Sequence, residues 1–262
     1  MAKRPDPAVE DRRRQARAAA QAAAARAKRR RTLTQLAIVG GVAVVVIAII
    51  ATAVVLGRRD QVPAAGSTPV ASGSTTVGGT SVPFAIGGGD DTATGVRVGA
   101  ADAKVTMDLW VDYSCPHCQE FEATNNGTID GLVAAGKLAV VYHNIQIVTD
   151  YGTEAGSASA CMAVHDPNAW PAFNAALYAN HSAQTDGWGA SDLASFAAAN
   201  GGGDATQKCV TDGTYRNWIT ANTAASAKAD VSGTPTMFID GQKTDTLSGQ
   251  ALADRVNSLA SA

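Results

Sequence analysis

Residues 114–119 read "SCPHCQ", which sets Cys115 and Cys118 with two residues between them in a chain holding four cysteines in all. Two thiolates at that spacing can chelate a tetrahedral ion, anchor a haem, close an inert disulfide, or exchange disulfides with another molecule. Zinc needs two further ligands. Cys161 and Cys209 stand alone, and His143, His165 and His181 have no close spacing, so no metal is expected. Haem attachment needs a histidine directly after the second cysteine, where this chain has Gln119. A staple spanning two residues removes little loop entropy and is geometrically tight.

The exchange reading gains support from position. Cys115 follows a strand-like run and precedes a helix-like one, with Pro116 at the first helical place, where a missing N–H costs nothing. Free N–H groups and the positive end of the helix dipole there favour a thiolate on Cys115, and His117 can add a charge or a donor. Cys115 is then the exposed nucleophile, and Cys118, one turn deeper, the resolving thiol. Stabilising the reduced thiolate makes the disulfide a better oxidant. No cofactor is required.

The elements that must hold this pair can be read around it. In "GVRVGAADAKVTMDLWVDY" Val105, Met107, Leu109 and Val111 alternate with Thr106, Asp108, Trp110 and Asp112, a strand that ends before Ser114. After the cysteines comes a short helix broken at Asn125 to Gly127, then a second helical piece and a strand over 137–148. Ala-rich segments with helical spacing fill about 150–230. Two short strands around a Gly turn and a Ser-capped helix close the chain. The order is α/β with a helical insertion. Trp110, Phe121, Trp170, Phe173, Tyr178 and Trp218 read as core.

Upstream, the composition divides sharply. Residues 1–31 carry eleven Lys/Arg against three Asp/Glu, while the remaining residues carry ten against twenty, which excludes a nucleic-acid binder along the whole chain. Residues 1–35 form a basic Ala/Arg-rich tail. Leu36 to Leu56 is 21 residues without charge, about 31 Å as a helix and long enough to span a bilayer. The cations crowding its near end place the N-terminus in the cytoplasm and the rest outside. A cleaved signal peptide is the rival reading, with "VPAAG" near residue 64 as its cleavage site. Residues 57–94, rich in Gly, Ser, Thr and Pro, read as a flexible extracytoplasmic linker.

The strand leading into "DYSCPHC", the "GTPT" of residues 233–236 and the helical block between them resemble the DsbA-like thiol:disulfide oxidoreductases of the thioredoxin superfamily. The resemblance covers residues 95–262 and is to the membrane-anchored actinobacterial type. It implies a thioredoxin-like fold with a helical insertion, and a cis-proline at Pro235 whose preceding residue, Thr234, offers backbone to an extended substrate. Many members of the superfamily carry a buried acid six residues before the first cysteine. Leu109 holds that place here, and Asp108 and Asp112 read as solvent-side or turn residues.

Cys161 and Cys209, lone cysteines in an oxidising compartment, are expected to pair, as second disulfides do in actinobacterial members. That bridge would stabilise the domain by roughly 4 kcal/mol in the chain-entropy model. The implied activity is an extracytoplasmic oxidase for exported Cys-containing proteins, recycled by an integral-membrane partner of DsbB or vitamin-K-epoxide-reductase type. The alternatives are a reductase or isomerase using the same site, or a non-catalytic cell-envelope binding protein. No separate dimerisation domain is visible, which weighs against the isomerase.

Overall fold

A computed structural model describes residues 68–87 and 95–262. The basic tail, the apolar run from Leu36 to Leu56 and the segments 57–67 and 88–94 lie outside the described residues. Among those described, no helix is long and apolar enough to cross a membrane.

The centre is a seven-stranded mixed sheet, formed by β1 (Ala71–Val77), β2 (Thr80–Ile86), β3 (Val96–Val98), β4 (Val105–Val111), β5 (Leu138–Asn144), β6 (Thr236–Ile239) and β7 (Gln242–Thr244). Their order is β1-β2-β3-β5-β4-β6-β7. β4 and β5 run parallel, connected through α1 (Pro116–Ala134), and every other neighbouring pair is antiparallel. Met107, Leu109 and Val111 face the core with at most 2% of their surface exposed. The period of two in the sequence is therefore a real face, with Asp108 and Trp110 on the other.

The expected linker is corrected at residues 71–86, which are a β-hairpin joined to the sheet through β3. Gly78 and Gly79 supply the positive φ values, 54° and 79°, that its two-residue turn needs. Val82, Phe84 and Ile86 alternate into the core while Thr80, Ser81 and Pro83 face out. A stretch so poor in large apolar residues cannot build a core of its own, which is why it reads as disordered. A hairpin that leans on an existing core needs only one apolar edge, and β2 provides it.

The expected break at Asn125 to Gly127 is also corrected, because α1 runs through it for 19 residues. Fully buried Asn125 donates Nδ2–H to the Phe121 carbonyl at 2.9 Å and accepts the Gly249 N–H at 2.7 Å. Its side chain thus ties α1 to α7 (Gly249–Ala260) instead of competing with the helix.

Between β5 and β6 lie α2 (Tyr151–His165), α3 (Trp170–Asn180), a 3-10 turn (Thr185–Gly187), α4 (Ala190–Ala199), α5 (Asp204–Thr211) and α6 (Arg216–Ser226). Small residues let α2 sit at the middle of this block: a Cβ on Gly156 would lie 2.8 Å from the Ile219 side chain. Arg216 clasps Glu154 with Nε and Nη2 at 2.9 and 2.7 Å. A disulfide joins Cys161 of α2 to Cys209 of α5, 48 residues apart in sequence.

Candidate active site

Cys115 caps the N-terminus of α1 with extended backbone, φ −89° and ψ 119°, and Pro116 occupies the first turn. Its N–H donates to the Asp112 carbonyl at 3.0 Å. The loop from β4 into α1 is held by Asp112, which is fully buried. One carboxylate oxygen accepts from the N–H and hydroxyl of Ser114 at 2.8 and 2.6 Å. The other accepts from the N–H groups of Ile147 and Val148 at 2.7 and 2.9 Å. Of the two places expected for Asp112, solvent side or turn, it takes the turn but not the solvent: strand alternation ends at Val111, and the next residue opens the turn with its carboxylate pointing inward to four donors. Asp108 is part-exposed, its carboxylate 2.8 Å from Nε2 of His143, a ring that stacks on Trp110.

The β4–β6 register, with Trp110 opposite Thr236, brings the start of β6 beside the end of β4. The Thr234–Pro235 peptide bond there is cis. Cys115 Sγ donates to the Thr234 carbonyl at 3.3 Å, across 119 residues of sequence. Thr234 and Pro235 border a groove of about 460 Å³ that His117, Phe121 and Thr124 line from the other side. The loop covers the nucleophile, so Cys115 is 5% exposed rather than open to solvent, against 1% for Cys118.

Both are free thiols in this structure, and their environments push them apart. A hydrogen bond from the Cys118 thiol is the largest influence on Cys115 and favours its thiolate. Burial opposes it. The Thr234 side chain and the N–H groups of Cys118 and His117 add to it, lowering Cys115 to about 5. His117 contributes here through its backbone, with its side chain in the groove. Donation to Cys115 and burial drive Cys118 strongly upward, so it keeps its proton. One sulfur is poised to attack or leave, and the other to hold a proton until it is needed.

A family model described as thioredoxin matches residues 91–256. The chain belongs to the thioredoxin family. Within the thioredoxin fold it carries the DsbA-like helical block, and solved structures of that form superpose on it. Reduced DsbA from Mycobacterium tuberculosis matches with TM-score 0.55 and 22% identity, over 64% of this chain and 93% of that one. BdbD from Bacillus subtilis, oxidised, gives 0.57 and 17%, over 63% and 92%. MdbA, a thiol-disulfide oxidoreductase from Corynebacterium diphtheriae, gives 0.52 and 22%, over 63% and 89%. At these identities the likeness is one of fold. The serine/threonine-protein kinase PknE of Mycobacterium tuberculosis is 36% identical over 91 residues, 32% of this chain and 16% of the kinase. This thioredoxin-family chain thus aligns with only a small part of those curated relatives.

Motif reading leaves three residues unassigned at this site. Gln119 fixes α1 to the end of α3, donating from Nε2 to the carbonyls of Tyr178 and His181 at 2.8 and 3.3 Å. Tyr178 and Glu122 line a second cleft, of about 520 Å³, between the two helices. Tyr178 is core by burial, as expected, and it also borders this cleft. Glu122 follows Cys118 by one helical turn, and that spacing was the available signal.

Proposed function

We propose that the chain is a thiol:disulfide oxidoreductase working outside the cytoplasm, as an oxidase that passes a Cys115–Cys118 disulfide to exported Cys-containing proteins. The opposite poise of the two sulfurs, beside an open groove at a helix N-terminus, carries this reading. A substrate thiolate attacks Cys115 Sγ. The Cys115–Cys118 bond breaks, Cys118 takes the electron pair, and the substrate is held on Cys115. A second substrate thiolate then attacks the substrate sulfur of that mixed disulfide and expels Cys115 as a thiolate. The substrate leaves with the new disulfide and the enzyme leaves reduced.

Direction follows from the leaving group. Only the reduced form contains the stabilised thiolate, so reduction of the enzyme is favoured and its disulfide is an oxidant. Thr234 and Pro235 border the groove where an extended substrate would lie, and Pro116 and the His117 N–H set the Cys115 environment. The sequence supports a cell-membrane anchor at Leu36 to Leu56 with an exported catalytic part, and the family resemblance supports re-oxidation by a DsbB or vitamin-K-epoxide-reductase-like membrane protein.

Equilibrating the chain with glutathione redox buffers tests direction. The expected potential lies above about −200 mV, and a value below about −250 mV, near thioredoxin, overturns the oxidase. In parallel, Cys118→Ser should accumulate mixed disulfides on Cys115. A variant that traps none would favour a non-catalytic binding protein on the same fold.

A further inference from the structure

The groove beside Cys115 holds one charge with nothing to balance it. Phe121 and Pro235 give the groove apolar surface, and the polar groups next to them are engaged within the fold. The Asn125 side chain is bonded at both ends, to the Phe121 carbonyl and the Gly249 N–H. The Thr124 hydroxyl donates to the Glu120 carbonyl at 2.8 Å. The Glu120 carboxylate differs. It is exposed and, among the described residues, has neither an ion pair nor a hydrogen bond. Glu120 also borders the cleft between α1 and α3, so it stands on the ridge of α1 that separates the two openings, and no Lys or Arg lines either of them.

Resting on the exchange reaction proposed above, we infer that Glu120 selects substrates by charge, so that the groove takes an extended segment carrying Lys or Arg two residues from the reacting cysteine. The spacing sets that position. Glu120 follows Cys115 by five residues of α1, about 7.5 Å along the helix axis. An extended segment rises about 3.4 Å per residue and puts every second side chain on one face. With the substrate cysteine joined to Cys115, the residue two places away therefore lies about 7 Å further along, on the side of its cysteine. A Lys or Arg stem there can lie on Phe121 and Pro235 while its head reaches the carboxylate. An acid at the same place would meet Glu120 with no cation between them.

The domain around the groove favours the same sign of partner. Residues 95–262 hold eight Lys/Arg against seventeen Asp/Glu. Three of those cations are already paired, in Lys208–Asp212, Arg216–Glu154 and Lys243–Asp230. A net acidic domain draws cationic segments toward it, and Glu120 then fixes where along the segment the cation must sit. The cation takes no part in the exchange of sulfurs. Its effect lies in how often a basic segment is held with its thiolate at Cys115. His117 is the titratable group that shares the groove with Glu120, so the selection is read at pH 8, where imidazoles are neutral.

The test mixes the oxidised full-length chain with an excess of Gly/Ser peptides holding two cysteines, with Lys, Ser or Glu two residues to either side of each. Samples are quenched in acid, and reduction of the chain is followed by alkylation and mass. Each rate is divided by that peptide's rate with 2-hydroxyethyl disulfide, which removes the effect of the charges on the peptide's own thiols. At low salt the Lys peptide should react about threefold faster than the Ser peptide and the Glu peptide about threefold slower. Glu120→Gln should bring all three together, Glu120→Lys should invert their order, and raising the salt to about 1 M should erode the differences. Equal rates in the wild type, or a wild-type order in Glu120→Gln, overturn the selection. An equal gain from Lys moved next to the cysteine, on the opposite face, overturns the placement. A wild type that oxidises none of the peptides sinks the exchange reaction, and the selection with it.

Discussion

Cys115 owes its chemistry to groups that cannot all be satisfied by a thiol. As a thiol it donates to the Thr234 carbonyl, and as a thiolate it collects the Cys118 thiol, the Thr234 side chain and two N–H groups. The reduced chain should therefore show a pH-dependent stability that the oxidised chain lacks. Cys115 titrates near 5 when folded and at the ordinary 9.0 when unfolded. A depressed folded pKa gives stability that is full above about 9 and lost as the pH falls through 5. Glu122 runs the other way, from 4.5 unfolded to about 7 folded, so its contribution is full below 4.5 and lost as the pH rises through 7. Glu122 is present in both redox forms and cancels in the difference. The Tm of the reduced chain minus that of the oxidised chain should rise steadily from pH 5 to 9 and be flat below 5. A flat or falling difference across that window would remove the thiolate from the account. The cysteine pair and Pro235 were legible in sequence because each sits in a short local motif. Asp112 was not, because its place depends on burial by the loop after β5, which no neighbouring residue announces; Glu122 was marked only by its spacing from Cys118, since its burial by α3 is not written in α1.

The elements around the site differ in how openly the sequence declares them. β4 alternates cleanly and α1 begins at Pro116, so the strand-to-helix turn that presents Cys115 could be read directly. Composition hid the hairpin, since β1 is mostly Ser, Thr and Gly and buries only Thr75 and Val77. Its hold on the fold lies in a few contacts. Thr75 donates to the Pro167 carbonyl at 2.8 Å, and the Phe84 ring meets Trp170 at 5.6 Å. Trp170 opens α3, the helix that also shields Glu122 and supplies Asn174. Phe84→Ala should cost about 3 to 5 kcal/mol in denaturant unfolding, as for other buried aromatics. The loss would be close to zero if the hairpin were the loose tether its composition suggests, and that result would detach β1 and β2 from the sheet.

At the scale of the molecule, the Cys161–Cys209 bridge braces the helical block between α2 and α5, and the free Cys115 and Cys118 sit at the start of α1. In the proposed exchange reaction the two cysteine pairs would divide stability from chemistry, a division that suits an oxidising compartment. Charge makes the same argument from the other end of the chain, where eleven cations precede the apolar run and the remaining residues are net acidic. Labelling with a membrane-impermeant maleimide can decide the orientation. In a chain with Cys115 and Cys118 replaced by serine, Cys161 and Cys209 are bonded to each other, so an added cysteine is the reactive one. Lys228→Cys, at an exposed position just after α6, should label in intact cells, whereas Ala8→Cys in the basic tail should label only after permeabilisation. Membrane pellets washed in alkaline carbonate should retain both if Leu36 to Leu56 is an uncleaved anchor. Labelling at residue 8 in intact cells with residue 228 protected would invert the topology and take the site away from exported substrates. Protection of both would place it in the cytoplasm, where a reducing thiol pool would hold Cys115 and Cys118 as thiols and the oxidase could not recycle.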